Sequence, residues 1–228
     1  MNVEIRKTLD GSQTLYLGEL DEHYHSTFGA IQESQHVFIQ AGFRHCLKSE
    51  IRVLEIGFGT GLNCYLTLLA GMSAGKKVWY NTIEKFPLPE IVWEKLEFCD
   101  HFPESNPEWF SLIHRALWNH EVEIQQQFVL QKIDSDLLAL ECGQLPLVDL
   151  VYFDAFSPEK QPELWSLSIF EKIFDRMNPD GILVTYCAKG VVRRTLLSVG
   201  FVVERIPGPP GKREMIRATK RQKFSILD

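Results

Sequence analysis

A glycine-rich segment, residues 53–63 (VLEIGFGTGLN), is the first part of the chain whose residue types and spacing suggest chemistry. Gly57, Gly59 and Gly61 follow an apolar run and precede an apolar helical pattern. Glycines in such a turn let a ligand approach the backbone, and the N-terminus of the next helix offers free N–H donors. The spacing differs from the GxGxxG of dinucleotide-binding proteins, and Glu55 adds an anion where a dinucleotide would bring phosphate. The segment therefore predicts a ligand-binding turn of another kind, although a tight turn without a ligand would need the same glycines.

Carboxylates near this turn narrow the kind of ligand. Glu55 could bind the cationic amino group of S-adenosylmethionine, either directly or through water. Glu84 ends the second predicted strand, 23 positions after Gly61, where an acid can accept two hydrogen bonds from ribose hydroxyls. Asp134, after the third strand, is placed to contact an adenine amino group, or else to cap the segment SDLLAL that follows it. The pattern favours an S-adenosylmethionine site, with a solvated surface acid as the alternative for Glu84.

A second reactive segment is residues 151–165 (VYFDAFSPEKQPELW). Its apolar run ends at Asp154, and Phe156 follows in a loop that Pro158 and Pro162 restrict. Ligands of open α/β sheets bind beyond the carboxyl ends of the strands, so we expect Asp154 to face the cofactor. There its carboxylate could orient an amine and accept the amine's proton directly or through water, while Phe156 could stack on a base. An ordinary surface acid followed by strand-ending prolines is the simpler alternative.

The candidate residues can act on one ligand only if the fold brings the ends of their strands together. Apolar strand patterns alternate with helical patterns from residue 51 onward, which predicts a parallel sheet with crossover helices. Before it, residues 3–20 read as a hairpin around a tight Asp-Gly turn, and we expect this hairpin to be an appendage. Between the strands we predict a helix over 88–99, an irregular segment over 103–120 and a long β-rich segment over 121–133.

Composition excludes several classes of protein. The chain has 228 residues, 45% of them hydrophobic, which is enough for one large globular domain. The N-terminus mixes charges, and no apolar run approaches the ~20 residues of a membrane span, so we expect a cytoplasmic protein without a membrane partner. Its five cysteines are widely separated and form no CxxC pair, which predicts reduced thiols and no metal site.

The net charge of −6 argues mildly against a nucleic-acid partner, but the charge is unevenly distributed. Residues 186–223 hold ten basic and two acidic side chains, a net of +8, which leaves −14 for the remainder. Such a segment is either a solvated tail or a face that binds phosphates. Lys212 and Arg213, in the turn-rich loop 207–213 (PGPPGKR), are our predicted phosphate contacts.

Several separated motifs together resemble the MnmC-type methyltransferases of bacterial tRNA, which occur fused to an oxidase or as stand-alone MnmD proteins. The four motifs that carry the resemblance are EIGFGTGLN (55–63), EKFPL (84–88), YFDAFSPEKQPELW (152–165) and GKREM (211–215). The likeness extends to YHSTFGAIQES (24–34) and GVVRRTLLSVGF (190–201), and so covers about residues 20–220.

The resemblance implies a class I, Rossmann-like α/β fold with a seven-stranded, mostly parallel sheet, helices on both faces, and an antiparallel hairpin made by the last two strands. It implies a domain over residues 23–228 that follows an N-terminal hairpin extension, 1–22. The implied reaction moves a methyl group from S-adenosylmethionine to the amine of 5-aminomethyl-2-thiouridine at the tRNA wobble position, giving 5-methylaminomethyl-2-thiouridine. The implied partner is the anticodon stem-loop of tRNA, whose target base must be unstacked or flipped outward.

The same resemblance assigns roles to individual residues. It places at the methionine end of the cofactor Glu55, Gly57, Gly59, Gly61 and Asn63. It places Glu84 and Lys85 at the ribose, Asp134 at the adenine, and Asp154 with Phe156 at the incoming base, while Tyr24 helps to close the pocket. The chain contains no second dinucleotide motif, so we expect it to lack the flavin-dependent oxidase half, and other tRNA-modifying enzymes must then supply the aminomethyl substrate.

Two other functions stay open from the residues themselves. Small-molecule amine alkyltransferases, including aminopropyltransferases, share this fold class and also present an acid after the fourth strand. A non-catalytic scaffold that binds S-adenosylmethionine would keep the sheet and the pocket. Fold alone does not separate the three functions, but the four ordered motifs favour tRNA.

Overall fold

A computed structural model describes residues 3–221; residues 1–2 and 222–228, which include Lys223 of the basic segment, lie outside the described residues. Its strands are β1 (Val3–Lys7), β2 (Gln13–Leu17), β3 (Glu22–His23), β4 (Glu50–Ile56), β5 (Lys77–Glu84), β6 (Glu121–Gln125), β7 (Phe128–Asp134), β8 (Val148–Phe153), β9 (Met177–Thr185), β10 (Val202–Pro207) and β11 (Glu214–Thr219). Its helices are α1 (Ala30–Ser34), α2 (Leu62–Ala74), α3 (Glu90–Trp93), α4 (Glu108–Arg115), α5 (Leu167–Arg176) and α6 (Gly190–Val199). A π-helical segment, Gln35–Phe43, continues α1.

The main sheet confirms the predicted Rossmann-like arrangement. Its strand order is β10-β11-β9-β8-β4-β5-β7-β6. The five central strands, β9, β8, β4, β5 and β7, pair in parallel, whereas β6 pairs antiparallel with β7, β11 with β9 and β10 with β11. The sheet therefore has eight strands, one more than the seven that the resemblance implied. The extra strand arises because the β-rich segment turns back at Gln127, whose φ of 75° lets β6 pair with β7.

Strands β4 and β8 form the centre of the sheet, and both of its faces are covered. Val53 packs into the core that contains α2 and the π-helical segment, whereas the next residue, Leu54, packs into the core that contains α5 and α6. Leu150 and Val151 divide between the two cores in the same way. Because successive side chains of a strand point to opposite faces, a strand buried on both faces reads as a continuous apolar run.

The predicted N-terminal hairpin is β1 and β2, which pair antiparallel, and β3 adds a third strand to their small sheet. Leu15 is fully buried and belongs to the main core. Asp10 joins the hairpin turn to α1, because it accepts the backbone N–H of Ser12 at 3.0 Å and that of Gln32 at 3.0 Å. The hairpin is thus packed against the element that follows it. The division of the chain after residue 22 stays a prediction.

The segment between β5 and β6 differs from its prediction. The helix expected over 88–99 is limited to the single turn α3 and is followed by a 3-10 turn, Phe98–His101. The segment expected to be irregular contains α4, which buries Phe110, Ile113 and His114. Those positions follow the i, i+3, i+4 spacing of a helical face, but one of them is a histidine, and Pro107 immediately before the helix suggested a loop. Proline is tolerated where a helix begins because no intrahelical N–H is needed there.

Among residues 3–221, no helix combines the length and apolar character needed to cross a membrane.

Candidate active site

A cavity of about 810 Å³ lies beyond the carboxyl ends of β4, β5 and β8. Its wall includes Gly57, Gly59, Glu84, Asp154 and Phe156, so the glycine-rich turn and the loop after β8 face one space. Cavities of this size are typical of sites for cofactors and other small ligands, and this edge of an open α/β sheet is where ligands bind.

The glycine-rich turn needs glycine for its backbone conformation and for space. Gly57, Gly59 and Gly61 have φ values of 91°, 50° and 74°, in the region that disfavours other residues. A Cβ at Gly57 would lie 2.9 Å from the carbonyl oxygen of Asp154, and one at Gly61 would lie 2.8 Å from His114 Nε2. Gly57 and Gly59 line the cavity, whereas Gly61 precedes α2 and makes room for the neighbouring helix.

Glu84 and Lys85 lie in the cavity wall, as their predicted roles require. The Glu84 carboxylate accepts the backbone N–H of Gly59 at 3.0 Å and that of Phe86 at 2.8 Å. Each oxygen therefore has one fixed donor and retains capacity for a further hydrogen bond. Lys85 Nζ forms an ion pair with Asp136 Oδ2 at 2.8 Å.

The structure does not bring Asp134 into this cavity. Its side chain is exposed, and its backbone N–H donates to Asn119 Oδ1 at 3.1 Å. Asp136, two positions further along, lines the cavity instead and accepts the backbone N–H of Leu138 at 2.9 Å. The sequence pointed to the acid at the end of β7, whereas the loop after that strand supplies the acid that lines the cavity.

Glu55 is completely buried on β4, beneath the glycine-rich turn. Burial raises the pKa of its carboxyl to about 8, and the neighbouring Thr82, Asn63 and Tyr80 moderate that rise. Neither Glu55 oxygen has a hydrogen-bond partner among the described residues, and the side-chain oxygens of those three neighbours also lack one. Buried polar atoms are ordinarily paired, so this group retains unused capacity to bind a cationic group or ordered water.

Asp154 follows β8 directly and is half-buried. Its backbone N–H donates to Ile56 O at 3.1 Å, and its Oδ2 accepts Asn63 Nδ2 at 2.8 Å. Burial raises the pKa of the Asp154 carboxyl well above its ordinary value, the charges of Glu33 and Glu55 raise it further, and the Asn63 hydrogen bond opposes the rise. The site therefore contains an oriented carboxylate with an increased tendency to accept a proton.

Phe156 and Tyr24 form an aromatic wall of the cavity. Their ring centroids are 5.1 Å apart and their planes meet at 77°. The Phe156 backbone is held on both sides, because its N–H donates to Gln161 Oε1 at 3.0 Å and its carbonyl accepts Trp165 Nε1 at 2.8 Å. The motif after Asp154 thus fixes the loop that carries the aromatic ring.

Lys212 and Arg213, the two predicted phosphate contacts, have different surroundings. Lys212 lines the cavity and forms an ion pair with Glu33, and its Nζ is 4.1 Å from the centroid of the Tyr186 ring. Arg213 is exposed. Sequence reasoning missed Glu33 and Tyr186, although Glu33 belongs to the motif YHSTFGAIQES and Tyr186 directly follows β9.

Comparisons with known proteins place this site in a family. The model of a family described as S-adenosyl-L-methionine-dependent methyltransferases matches residues 100–221. The tRNA 5-methylaminomethyl-2-thiouridine biosynthesis bifunctional protein MnmC of Pseudomonas aeruginosa is 33% identical over 210 residues, which cover 86% of this chain and 32% of the relative. MnmC of Aeromonas hydrophila is 29% identical over 224 residues, which cover 90% of this chain and 34% of the relative.

This chain therefore spans about a third of the length of these curated relatives. Among solved structures, MNMC2 from Aquifex aeolicus superposes with a TM-score of 0.79 at 29% identity, covering 97% of this chain and 71% of that one. The family match covers more than half of the chain, and the glycine-rich turn, Glu84 and Asp154 surround one cavity. The chain belongs to the family of S-adenosyl-L-methionine-dependent methyltransferases, and its cofactor is S-adenosyl-L-methionine.

Proposed function

We propose that this chain transfers a methyl group from S-adenosylmethionine to the primary amine of 5-aminomethyl-2-thiouridine at the tRNA wobble position, giving 5-methylaminomethyl-2-thiouridine. The observation that carries the proposal is Asp154, a carboxyl of raised pKa that Asn63 orients at the edge of the cofactor cavity. The named product of the MnmC relatives agrees with an amine acceptor at this position.

The residues of the cavity suit the cofactor, which supplies an electrophilic methyl group when it is bound. Gly57 and Gly59 allow close approach of the backbone, and Glu84 retains acceptor capacity for ribose hydroxyls. Glu55 lies outside the cavity wall, and its carboxyl, buried without a partner among residues 3–221, suits a contact with the cationic amino group through ordered water. For the adenine end we propose Asp136, because it lines the cavity and Asp134 does not.

Asp154 has two tasks in this proposal. A primary amine attacks only when it is neutral, and its ordinary pKa near 10.4 leaves most of it protonated at neutral pH. A raised pKa makes the Asp154 carboxylate a better proton acceptor, and Asn63 holds it in a defined orientation. Alignment of the amine contributes first, because displacement at a methyl carbon depends strongly on near-attack geometry.

Phe156 and Tyr24 are the proposed contacts of the wobble base. Stacking of a base on an aromatic ring contributes roughly 1–3 kcal/mol and requires the base to leave its own stack. Among the basic residues of the C-terminal segment, we retain Arg213 as a phosphate contact because its side chain is exposed. Arg213→Glu should weaken tRNA binding and reduce the salt dependence of log K by about 1. An unchanged salt dependence would contradict this role.

The reaction requires a substrate that already carries the aminomethyl group. We propose that other tRNA-modifying enzymes supply it and that recognition involves the anticodon stem-loop. A second candidate function is methyl transfer to a small amine, because an oriented carboxylate such as Asp154 would serve any primary amine.

A methyl-transfer assay separates these functions. The protein and S-adenosylmethionine are incubated with tRNA from a strain that lacks this protein, or with polyamines, and the products are identified by mass analysis. We expect 5-aminomethyl-2-thiouridine to be converted to its methylated form, with little conversion by Asp154→Ala, which still binds the cofactor. Transfer to polyamines but not to tRNA would favour the second function, and no thermal shift with S-adenosylmethionine would indicate a protein without a functional cofactor site.

A further inference from the structure

Lys212 lines the same cavity as Asp154, the proposed contact of the substrate amine. Lys212 is carried by the loop between β10 and β11, and its side chain reaches Glu33 and the ring of Tyr186. All three residues line the cavity together with Asp154. A lysine side chain ends in a methylene that bears an ammonium group, which is also the chemical structure of a protonated aminomethyl substituent.

The surroundings of Glu33 suit it to bind such an ammonium group. Its side chain is only 8% exposed, and burial of a carboxylate is costly unless donors surround it. One oxygen, Oε2, accepts the backbone N–H of Ser26 at 2.7 Å, and the other, Oε1, is paired with the Lys212 ammonium. The backbone donor fixes the carboxylate, so its second oxygen stays directed at whichever cation is present.

Tyr186 connects this ammonium position to the loop that carries Asp154. The Lys212 ammonium lies over the Tyr186 ring at 4.1 Å from its centroid, a cation–π geometry. The Tyr186 hydroxyl donates to the carbonyl oxygen of Ala155, the residue next to Asp154, at 2.9 Å.

We propose that Glu33 and Tyr186 form the binding site for the protonated substrate amine, and that Lys212 occupies this site until the substrate displaces it. The inference rests on the proposed function, since it specifies how that amine is recognised. Lys212 then satisfies the buried carboxylate while no substrate is present. Displacement brings the substrate ammonium beside Asp154, which accepts its proton before methyl transfer.

The loop that carries Lys212 is held on the N-terminal part of the chain by contacts around the same site. His36 Nε2 is 2.8 Å from the carbonyl oxygen of Pro207, and Gly211, with a φ of 85°, packs against the ring of Phe28. The Lys212–Glu33 ion pair adds a charged contact to these. Replacement of Lys212 by a substrate amine would remove that charged contact, so substrate binding and the position of the loop are linked.

The test measures tRNA affinity in the presence of S-adenosylhomocysteine, which prevents turnover. Two samples of the same tRNA are compared, one with the aminomethyl group and one from a strain unable to install it. In Glu33→Gln the amide oxygen can still accept the Ser26 N–H, but the charge is gone, and we expect the preference for aminomethyl tRNA to fall about tenfold. In Lys212→Met the competing ammonium is gone, and we expect affinity for the aminomethyl tRNA alone to rise several-fold, with a lower KM and a similar kcat.

A matched control is Lys48→Met, which removes the lysine from another buried carboxylate, Asp149, at the opposite edge of the sheet. This variant should leave the preference between the two tRNAs unchanged. An unchanged preference for aminomethyl tRNA in Glu33→Gln would overturn the inference. Equal loss of affinity for both tRNAs in Lys212→Met would also overturn it, because a phosphate contact would give that result. Methyl transfer by the wild-type protein is measured first, and its absence would contradict the proposed function. If the wild-type protein transfers methyl groups normally and Glu33→Gln keeps the preference for aminomethyl tRNA, only the proposed amine site is contradicted.

Discussion

Asp149 and Asp154 lie five positions apart, at the two ends of β8, and have opposite electrostatic surroundings. Asp149, at the amino end, accepts hydrogen bonds from Lys48 Nζ at 2.6 Å, the backbone N–H of Arg52 at 2.9 Å and Asn178 Nδ2 at 2.8 Å. Burial alone would raise the pKa of Asp149, but these three donors together lower it. These hydrogen bonds join β8 to β4, to β9 and to the segment before β4, so the role of this carboxylate is structural.

Asp154, at the carboxyl end, has one side-chain donor, Asn63, and two neighbouring carboxyl groups, Glu33 and Glu55. Burial and these carboxyl groups raise the pKa of Asp154 instead. The comparison shows how one strand carries a structural carboxylate and a reactive one. At the amino edge the hydrogen-bonding capacity is satisfied within the fold, whereas at the carboxyl edge it is left for a ligand at some cost in stability.

The largest effect expected is the loss of activity in Asp154→Asn. The amide keeps the shape of the side chain but cannot accept the amine's proton, so methyl transfer should fall by roughly 10²–10⁴-fold. Thermal stability should not fall, because the substitution removes a poorly solvated charge. Steady-state methyl transfer and thermal melting measure the two properties, and near-normal transfer would remove the distinction between the two aspartates.

Asp149→Asn should show the reverse behaviour. Its side chain is 6% exposed and three donors point to it, so loss of the carboxylate should lower the free energy of unfolding by about 3 kcal/mol and Tm by about 6–12 °C. Methyl transfer by the folded variant should be normal. A pKa that folding lowers gives stability above the unfolded pKa of ~3.9 and loses it as pH falls, so the difference from wild type should shrink in acid. Equal Tm values at pH 7 would refute a structural role.

Alanine substitutions of two glycines compare the tolerance of the backbone at the carboxyl and amino edges of the sheet. Gly57 and Gly75 both have positive φ, 91° and 61°, but a Cβ at Gly57 would lie 2.9 Å from Asp154 O, whereas one at Gly75 would have no atom within 4 Å. Gly75→Ala should cost about 1–2 kcal/mol from conformation alone. Gly57→Ala should cost roughly 1–3 kcal/mol more, and should also weaken cofactor binding. Urea unfolding and cofactor titration test this, and equal losses in both variants would show that the contact with Asp154 is unimportant.

Glu55→Gln should change the pH dependence of stability. The wild-type Glu55 has a pKa of about 8 in the folded protein, above its ordinary value of 4.5, so the folded state binds more protons between these values. Stability is therefore lost as pH rises through that window, and the glutamine variant has no such loss. The Tm of the variant should rise relative to wild type between pH 5 and pH 9, and parallel curves would contradict the raised pKa. Lys132, with a pKa that burial lowers to about 8, is present in both proteins, so its titration cancels.

Much of the fold could be predicted because its signals are local. The strand patterns of β4, β5 and β8, rich in β-branched and aromatic residues and each followed by a helix or loop signal, identified the parallel centre of the sheet. Once these strands were identified, the motifs at their ends could be assigned to one edge of the sheet. Glu84, Lys85, Asp154, Phe156 and Tyr24 all lie in the cavity wall. Their roles toward cofactor and base stay predictions.

Other features could not be predicted because they depend on contacts between distant segments. The helix α4 was missed since its buried face includes His114, whose burial depends on stacking against Trp93 at a centroid distance of 4.6 Å. Lys212 was expected at a phosphate, but the loop that carries it folds onto α1 and brings it to Glu33, 179 positions earlier in the chain.

By itself the sequence determined the parallel centre of the sheet, the glycine-rich turn and the position of a carboxylate after β8, because hydrophobic period and glycine spacing act over a few residues. The tertiary structure alone decided that Asp136 and not Asp134 reaches the cavity, and that Glu33, Tyr186 and Lys212 meet beside Asp154. It also decided that Asp149 is satisfied and Asp154 is not. The physical reason is that desolvation and charge pairing depend on which groups surround a side chain in space, and residues from separate segments supply those groups.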